Sequence, residues 1–227
     1  MAEVPEDVIW RTMTGVQSHF AIGSGGVRRY ADGFSPILVF ADVANPDFDS
    51  LMACCQLGDR FYCERWSGSP PEGWSIEAES TMFKMIYEGP TPEPVDDEDM
   101  VELGPEHAQQ ALDLALLTNP GPFGLRTLEL GSYYGYFDDD RLIAMAGERF
   151  DAPPLREVSG VCTHPDYVGR GYAKRLMHRV MREEMERGQI PFLHVLSHNE
   201  VAHGMYLRMG FRDSLETIVR IVKRVSA

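Results

Sequence analysis

The sequence predicts an α/β (α+β) fold: a mixed central β-sheet flanked by helices, preceded by an additional α/β region. Three observations carry this expectation. Strand-like apolar runs alternate with helical periodicities between residues 97 and 227. A glycine loop there joins one strand directly to a long helix and then to another strand, the order of a parallel crossover unit. Ahead of it, Gly89 to Asp99 reads G-P-T-P-E-P-V-D-D-E-D. Three prolines in five residues oppose helix, and the acidic run stays solvated. The stretch 91–99 is therefore read as a linker between residues 1–90 and a domain over 97–227.

Within the first region, Val8, Ile9, Met13 and Val16 recur at helical spacing between Pro5 and His19. Gly23 to Gly26 separates Phe20-Ala21-Ile22 from Val27 to Tyr30 and predicts a hairpin. Ile37 to Phe40 is a compact apolar strand, Asp47 to Leu57 a helix, and Phe61 to Arg65 and Ser75 to Tyr87 further strands. No motif here carries chemistry.

In the second region, Met100 to Leu103 reads as a strand and Pro105 to Leu117 as a helix with proline in its first turn. Ser132 to Phe137 and Arg141 to Arg149 form a hairpin around Asp138-Asp139-Asp140. Glu157 to Thr163 is a strand, Gly171 to Arg187 a helix stopped at Gly188, Phe192 to Ser197 a strand, Glu200 to Met209 a helix, and Thr217 to Val225 a closing strand.

Charge narrows the partners. With 35 acidic and 21 basic residues the chain carries −14, which disfavours nucleic acid and anionic membrane surfaces. Residues 1–90 hold 6 basic and 13 acidic groups, and residues 91–140 hold 1 and 12. Residues 141–227 hold 14 and 10, so only the last third is positive and suited to an anion. No apolar run is long enough to span a membrane and no signal peptide is read. Four cysteines without a C-x-x-C spacing predict a reducing, cytoplasmic setting. The seven histidines show no metal-ligand spacing, so no metal is expected.

The anion site is expected where the strand ending in Val161, Cys162 and Thr163 enters the loop Val168-Gly169-Arg170-Gly171-Tyr172-Ala173-Lys174. Glycines admit close approach of a ligand. The unpaired N–H groups of the following helical turn, with the helix dipole, favour an anion such as pyrophosphate. Neither the Walker spacing G-x-x-x-x-G-K-[ST] nor the three-glycine dinucleotide fingerprint is met.

This stretch resembles motif A of the GNAT acyltransferase superfamily, whose loop reads [RQ]-x-x-G-x-[GA]. Gly171 and Ala173 match, while Val168 departs from the usual Arg or Gln. A second block, from Phe192 to Phe211, places Asn199, Tyr206 and Gly210-Phe211 as the superfamily does. The wording T-H-P-x-x-x-G-R-G-Y-A, with P-G-P-F-G and M-A-G-E-R upstream, is most similar to the FR47-like branch, related to glycine N-acyltransferases. Relatives there carry a preceding region, so residues 1–90 read as a degenerate GNAT-like half. The resemblance implies acetyl-CoA or another acyl-CoA as co-substrate, held by the loop and by the Val161–Thr163 backbone, with Asn199 on the pantetheine arm. It implies Tyr206 as the acid and Glu157 as the base, with Glu148 or an ordered water as alternatives.

Asn199 is equally suited to capping the helix at Glu200, and Tyr206 to packing beside Met205 and Leu207. On the acceptor side, Arg126 suits a carboxylate and Glu129 an ammonium group. Cys162 and His164 share a strand face but lack an orienting third group for nucleophilic catalysis. The expected activity is direct transfer of an acetyl or short acyl group to a small-molecule amine or amino acid. The rivals are a non-catalytic acyl-CoA-binding module and a protein N-acetyltransferase. Oligomeric state is not written in the sequence, and a homodimer is compatible with it.

Overall fold

The computed structural model describes residues 2–95 and 98–226. Asp96 and Asp97, inside the expected linker and at the start of the expected 97–227 domain, lie outside the described residues. Two compact units are present, and neither is one consecutive block: one takes in residues up to 32, 36–86 and 194 onward, the other 33–35 and 87–193.

The first unit begins with helix α1 (Val8–Thr14), followed by strands β1 (Ala21–Ile22), β2 (Val27–Tyr30) and β3 (Ile37–Phe40). Helix α2 (Phe48–Met52) then leads to β4 (Arg60–Glu64) and β5 (Trp74–Tyr87, within this unit to Ile86). Every residue of β3 is buried, as a continuous Ile-Leu-Val-Phe run requires. β3 and β4 are parallel, joined through α2, while β1–β2 and β2–β3 are antiparallel. The core gathers Leu38, Phe40, Phe48, Phe61, Trp66 and Trp74. Helix α2 is shorter than the expected 47–57 because arginines take the carbonyls that would continue it. Arg224 donates to the Met52 and Cys55 oxygens, and Arg29 to the Cys54 oxygen.

The same unit receives the end of the chain: α5 (Glu200–Met209) and the strand Phe211–Arg224. That last strand pairs antiparallel with β4, Val219 opposite Glu64 through Lys223 opposite Arg60.

The second unit runs β6 (Val101–Glu102), α3 (Ala108–Thr118), β7 (Tyr133–Asp138), β8 (Arg141–Ala152), β9 (Leu155–Thr163), α4 (Tyr172–Glu186) and β10 (Ile190–Leu196, within this unit to Leu193). The closing strand of the chain is thus β11. The order across this unit is β10-β9-β8-β7-β6, with β9 and β10 parallel and the others antiparallel. A left-handed Asn119 ends α3, its N–H reaching the Ala115 oxygen. Leu176, Met177, Val180 and Met181 give α4 its buried stripe, and Gly188, at φ 76°, turns the chain out of it.

Each unit therefore contains an antiparallel hairpin, a strand, a helix and a strand parallel to the last: β1-β2-β3-α2-β4 in one and β7-β8-β9-α4-β10 in the other. Mixed sheets with flanking helices are the fold class the sequence implied.

A fully buried ion pair marks the first unit: Lys84 Nζ lies 2.8 Å from Glu64 Oε1 and donates to the Glu6 carbonyl at 2.8 Å. Removing one charge strands the other in the core. Lys84→Met should cost about 3–5 kcal/mol in urea unfolding, and adding Glu64→Leu should restore most of it. A single substitution costing under about 1 kcal/mol would contradict this account.

Candidate active site

β9 is the scaffold of the site. Its parallel ladder with β10 covers three pairs, from Leu155–Ile190 to Glu157–Phe192, and β9 then runs six residues further to Thr163. Against β8 its register shifts: Met145 faces Cys162 but Gly147 faces Ser159, so β9 holds one extra residue there. Gly160 sits in this bulge with φ 63°, and bulges of this kind re-aim backbone groups.

Past Thr163 the chain takes a single 3-10 turn, Pro165–Tyr167, capped by His164, whose Nδ1 accepts from the Asp166 N–H at 3.2 Å. Gly169 and Gly171 both adopt left-handed backbone, φ 80° and 82°, and α4 starts at once. Gly171 offers no capping side chain and the first turn of α4 holds no acid. A Cβ at Gly169 would meet nothing within 4 Å. The first-turn N–H groups of α4 are thus left for an anion.

Val168, Gly169, Arg170, Gly171, Tyr172, Ala173 and Lys174 come together at this turn, with Val161, Cys162 and Thr163 on the strand that feeds it. Arg170 lies over the Tyr167 ring at 4.7 Å and donates to the Asp166 oxygen at 3.1 Å. Arg175 lies 5.1 Å from the Tyr136 centroid and 4.9 Å from that of Tyr172, and donates to the Tyr136 hydroxyl and the Arg170 carbonyl. These guanidinium groups are held beside the turn, and exposed Lys174 adds a third positive charge. The residues fit a pyrophosphate group.

The first unit supplies the counter-example. Helix α2 also follows a parallel strand, but Asp47 caps it, accepting from the Ser50 N–H at 3.0 Å and the Gly26 N–H at 2.9 Å. Those bonds hold the Asp47 carboxyl below the usual carboxylate range. A carboxylate already occupies the place of an anion.

Glu157, expected as the base, is buried and bound on both oxygens by Arg149, at 2.7 Å each, and accepts from the Phe150 N–H at 3.3 Å. That carboxylate is half of an ion pair rather than a free base. Glu148 is engaged as well: it accepts from Arg156 at 2.9 Å and contacts Arg187. Arg156 also meets Asp151 at 3.0 Å. Arg149 had no motif to announce it, although counting back from the A-P-P-L turn sets it diagonally across from Glu157.

Glu184, buried on α4 with neither oxygen hydrogen-bonded, is pushed well above the carboxylate range by burial and then by Glu148.

Arg126 and Glu129 pair with each other, at 2.8 and 2.7 Å, and Arg126 lies 4.3 Å over the Phe34 ring. Each expected acceptor contact thus has its charge already met. Their loop is fixed by bonds from Arg126 N–H to the Gly33 carbonyl and between the Ser35 and Thr127 hydroxyls. Glu129, with Glu102, Asp151 and Arg187, also lines a cavity of about 570 Å³.

Asn199 and Tyr206 belong to the first unit, on α5. Asn199 is the N-cap, its Oδ1 accepting from the Ala202 N–H at 3.2 Å. Tyr206 is buried, edge-on to Phe211 at 6.0 Å.

Burial pushes the Cys162 thiol up to about 12, so it stays protonated throughout the neutral range and is no nucleophile. Iodoacetamide at pH 8.5 should leave Cys162 unlabelled in the native protein and label it after denaturation, as read by peptide mass spectrometry. Native labelling at the rate of a free thiol would refute its burial.

Among the described residues no group of three His, Cys, Asp or Glu is placed to hold a metal, and no helix is long and apolar enough to cross a membrane. Residues 83–211 match the profile of the Acetyltransferase (GNAT) family. A crystal structure of a GNAT-family protein from Novosphingobium aromaticivorans is 33% identical, over 96% of this chain and 97% of that one, with a TM-score of 0.87. A GCN5-related N-acetyltransferase from Kribbella flavida (13% identity, 99% and 97% coverage, TM-score 0.61) shares the fold. So does a GCN5-related N-acetyltransferase-like protein from Streptococcus suis (14%, 96% and 93%, 0.58). No curated protein matches the chain. With more than half of its length matched and a structural relative at one-third identity, the chain belongs to the GNAT acetyltransferase family.

Proposed function

We propose that this acetyltransferase moves an acetyl or short acyl group from acyl-CoA to the amine of a small molecule or amino acid. The observation that carries the reading is the uncapped start of α4 at Gly171, with open space beside Gly169 and three basic side chains around the turn. In this reading it is the seat of the diphosphate, at the end of a strand that outruns its ladder with β10.

Acyl-CoA supplies an activated thioester carbonyl and a thiolate leaving group. The chain's own residues bind and orient. The α4 N–H groups, Arg170, Lys174 and Arg175 hold the diphosphate, and the exposed Val168 leaves this to the backbone on its side of the loop. The Val161–Thr163 backbone aligns the pantetheine arm as an added strand would. The proton of the attacking amine goes to water, because Glu157 and Glu148 are both ion-paired. Tyr206, from its place in the second family block, protonates the departing sulfur. Asn199 serves α5 as its cap.

Residues 1–90 form, in this reading, a degenerate half of the same design, its seat filled by Asp47; the FR47-like wording and the free thiols of Cys54, Cys55, Cys63 and Cys162 fit a cytoplasmic enzyme of that branch.

CoA or acetyl-CoA about 100-fold above its dissociation constant should raise Tm by roughly 5–10 °C; no rise at millimolar ligand would sink the proposal. Tyr206→Phe should lower turnover about 100-fold or more with CoA affinity unchanged. Binding without thiol release across amines and peptides would instead indicate a non-catalytic acyl-CoA-binding module.

A further inference from the structure

Apart from the glycine turn, the second unit holds the cavity of about 570 Å³ that Glu129 helps to line. Its volume falls within the roughly 300–1,000 Å³ of small-ligand sites. Glu102 on β6, Glu148 and Asp151 on β8, Arg156 on β9 and Arg187 after α4 make it a strongly charged wall. The Glu148 and Arg156 side chains are built into the core, only 4% and 7% exposed. The cavity is no extension of the glycine turn. Seven residues of extended strand separate Arg156 from Thr163, which sets the two ends of β9 roughly 20 Å apart.

The positive groups of the wall are already engaged. Arg156 donates to Glu148 and meets Asp151 Oδ2 at 3.0 Å. Arg187 contacts Glu148 and donates to Gln189 at 3.1 Å, and Glu129 is held by Arg126. The negative groups are not all answered. Glu102 has no side-chain partner among the described residues, and Asp151 Oδ1 is buried without one. Behind the wall stands Glu184, fully buried with neither oxygen hydrogen-bonded. Burial and then Glu148 push its carboxyl upward, as does Glu157, against the pull of Arg156 and Arg187. Glu157 is itself neutralised by Arg149. Glu102, Glu129, Glu148, Asp151 and Glu184 thus share three guanidinium groups, those of Arg126, Arg156 and Arg187. Two acids are left over in a partly enclosed space, where uncompensated charge is costly.

We propose that this cavity is a second ligand site, taking an aliphatic diamine whose ammonium groups pair with Glu102 and Asp151. The two carboxylates come from β6 and β8, strands that β7 separates, so one ammonium group answers only one of them. Leu103 and Leu128 supply the apolar wall for the methylene chain between. The diamine is bound there as an ion and is not acylated, since the far end of β9 is out of reach. The site stands independently of the acyl-transfer reading.

The test is calorimetric titration of the full chain, with and without CoA. Putrescine, cadaverine and hexamethylenediamine are compared with butylamine and with sodium chloride at matched ionic strength. At least one diamine should bind about 10-fold tighter than butylamine, equally well with CoA present. Glu102→Gln, at an exposed position, should weaken that binding roughly 10-fold. Ser132→Lys, which tethers an ammonium group in the cavity, should abolish it. Asp151→Asn should act as Glu102→Gln does; if its loss of the Arg156 pair lowers Tm, the other two variants decide. No diamine binding at millimolar concentration, or binding matched by butylamine or salt, would overturn the proposal. So would binding that either Glu102→Gln or Ser132→Lys leaves intact. Displacement of the diamine by CoA would place it at the glycine turn and overturn the proposal as well. Failure of the acyl-transfer reading shows separately, as no binding of CoA itself.

Discussion

β9 is held on two edges at its base and leads at its other end into the glycine turn proposed to hold the diphosphate. Its ladder with β8 extends to Thr163, whereas its ladder with β10 ends at Glu157. The buried pairs Arg149–Glu157 and Arg156–Glu148 lie in the doubly held part. Adjacent residues of a strand face opposite sides, so these pairs staple the β8–β9 register from both faces, and a slip of one residue would bury four charges without partners. With the base fixed, the bulge at Gly160, the turn at Gly169–Gly171 and the start of α4 are fixed in turn. Glu157, the expected base, is one half of the Arg149 pair.

The two crossovers show how small a change makes or removes an anion site. Both follow a strand with a helix that returns to a parallel neighbour. In the first, Asp47 supplies the negative charge from within the chain. In the second, glycine supplies none, and the demand of the helix terminus stays open.

Much of this was legible in the sequence. The β9 strand, the glycine loop and α4 announced themselves because local backbone requirements coincide with chemical ones: Gly169 and Gly171 are needed for their φ angles as well as for access. α5 ran Glu200–Met209 as its Asn cap and Gly210 stop implied. The truncation of α2 could not be read, since Arg29 and Arg224 act on its carbonyls from 25 and about 170 residues away. Nor could the capture of Glu157 by Arg149, or of Arg126 by Glu129: side-chain pairing is decided by packing, and a motif names a residue without naming its partner. Tyr133 stood in the sequence as one of three near-alternating tyrosines, and only its unmet hydroxyl separates it from Tyr134 and Tyr136, whose hydroxyls meet Glu183 and Arg175.

The pairing of β11 with β4 joins residues 219–223 to residues 60–64. Across that gap the chain must first be synthesised: β4 leaves the ribosome with one edge unpaired and keeps it so until the last strand emerges. Two-thirds of the protein, β9 and its loop included, is made while the first sheet is incomplete. Loop closure on this scale is slow, and the unpaired edge of β4 is the surface that nascent-chain chaperones or neighbouring chains would meet. The N-terminal region, poor in chemistry of its own, thus waits on the C-terminus to finish folding.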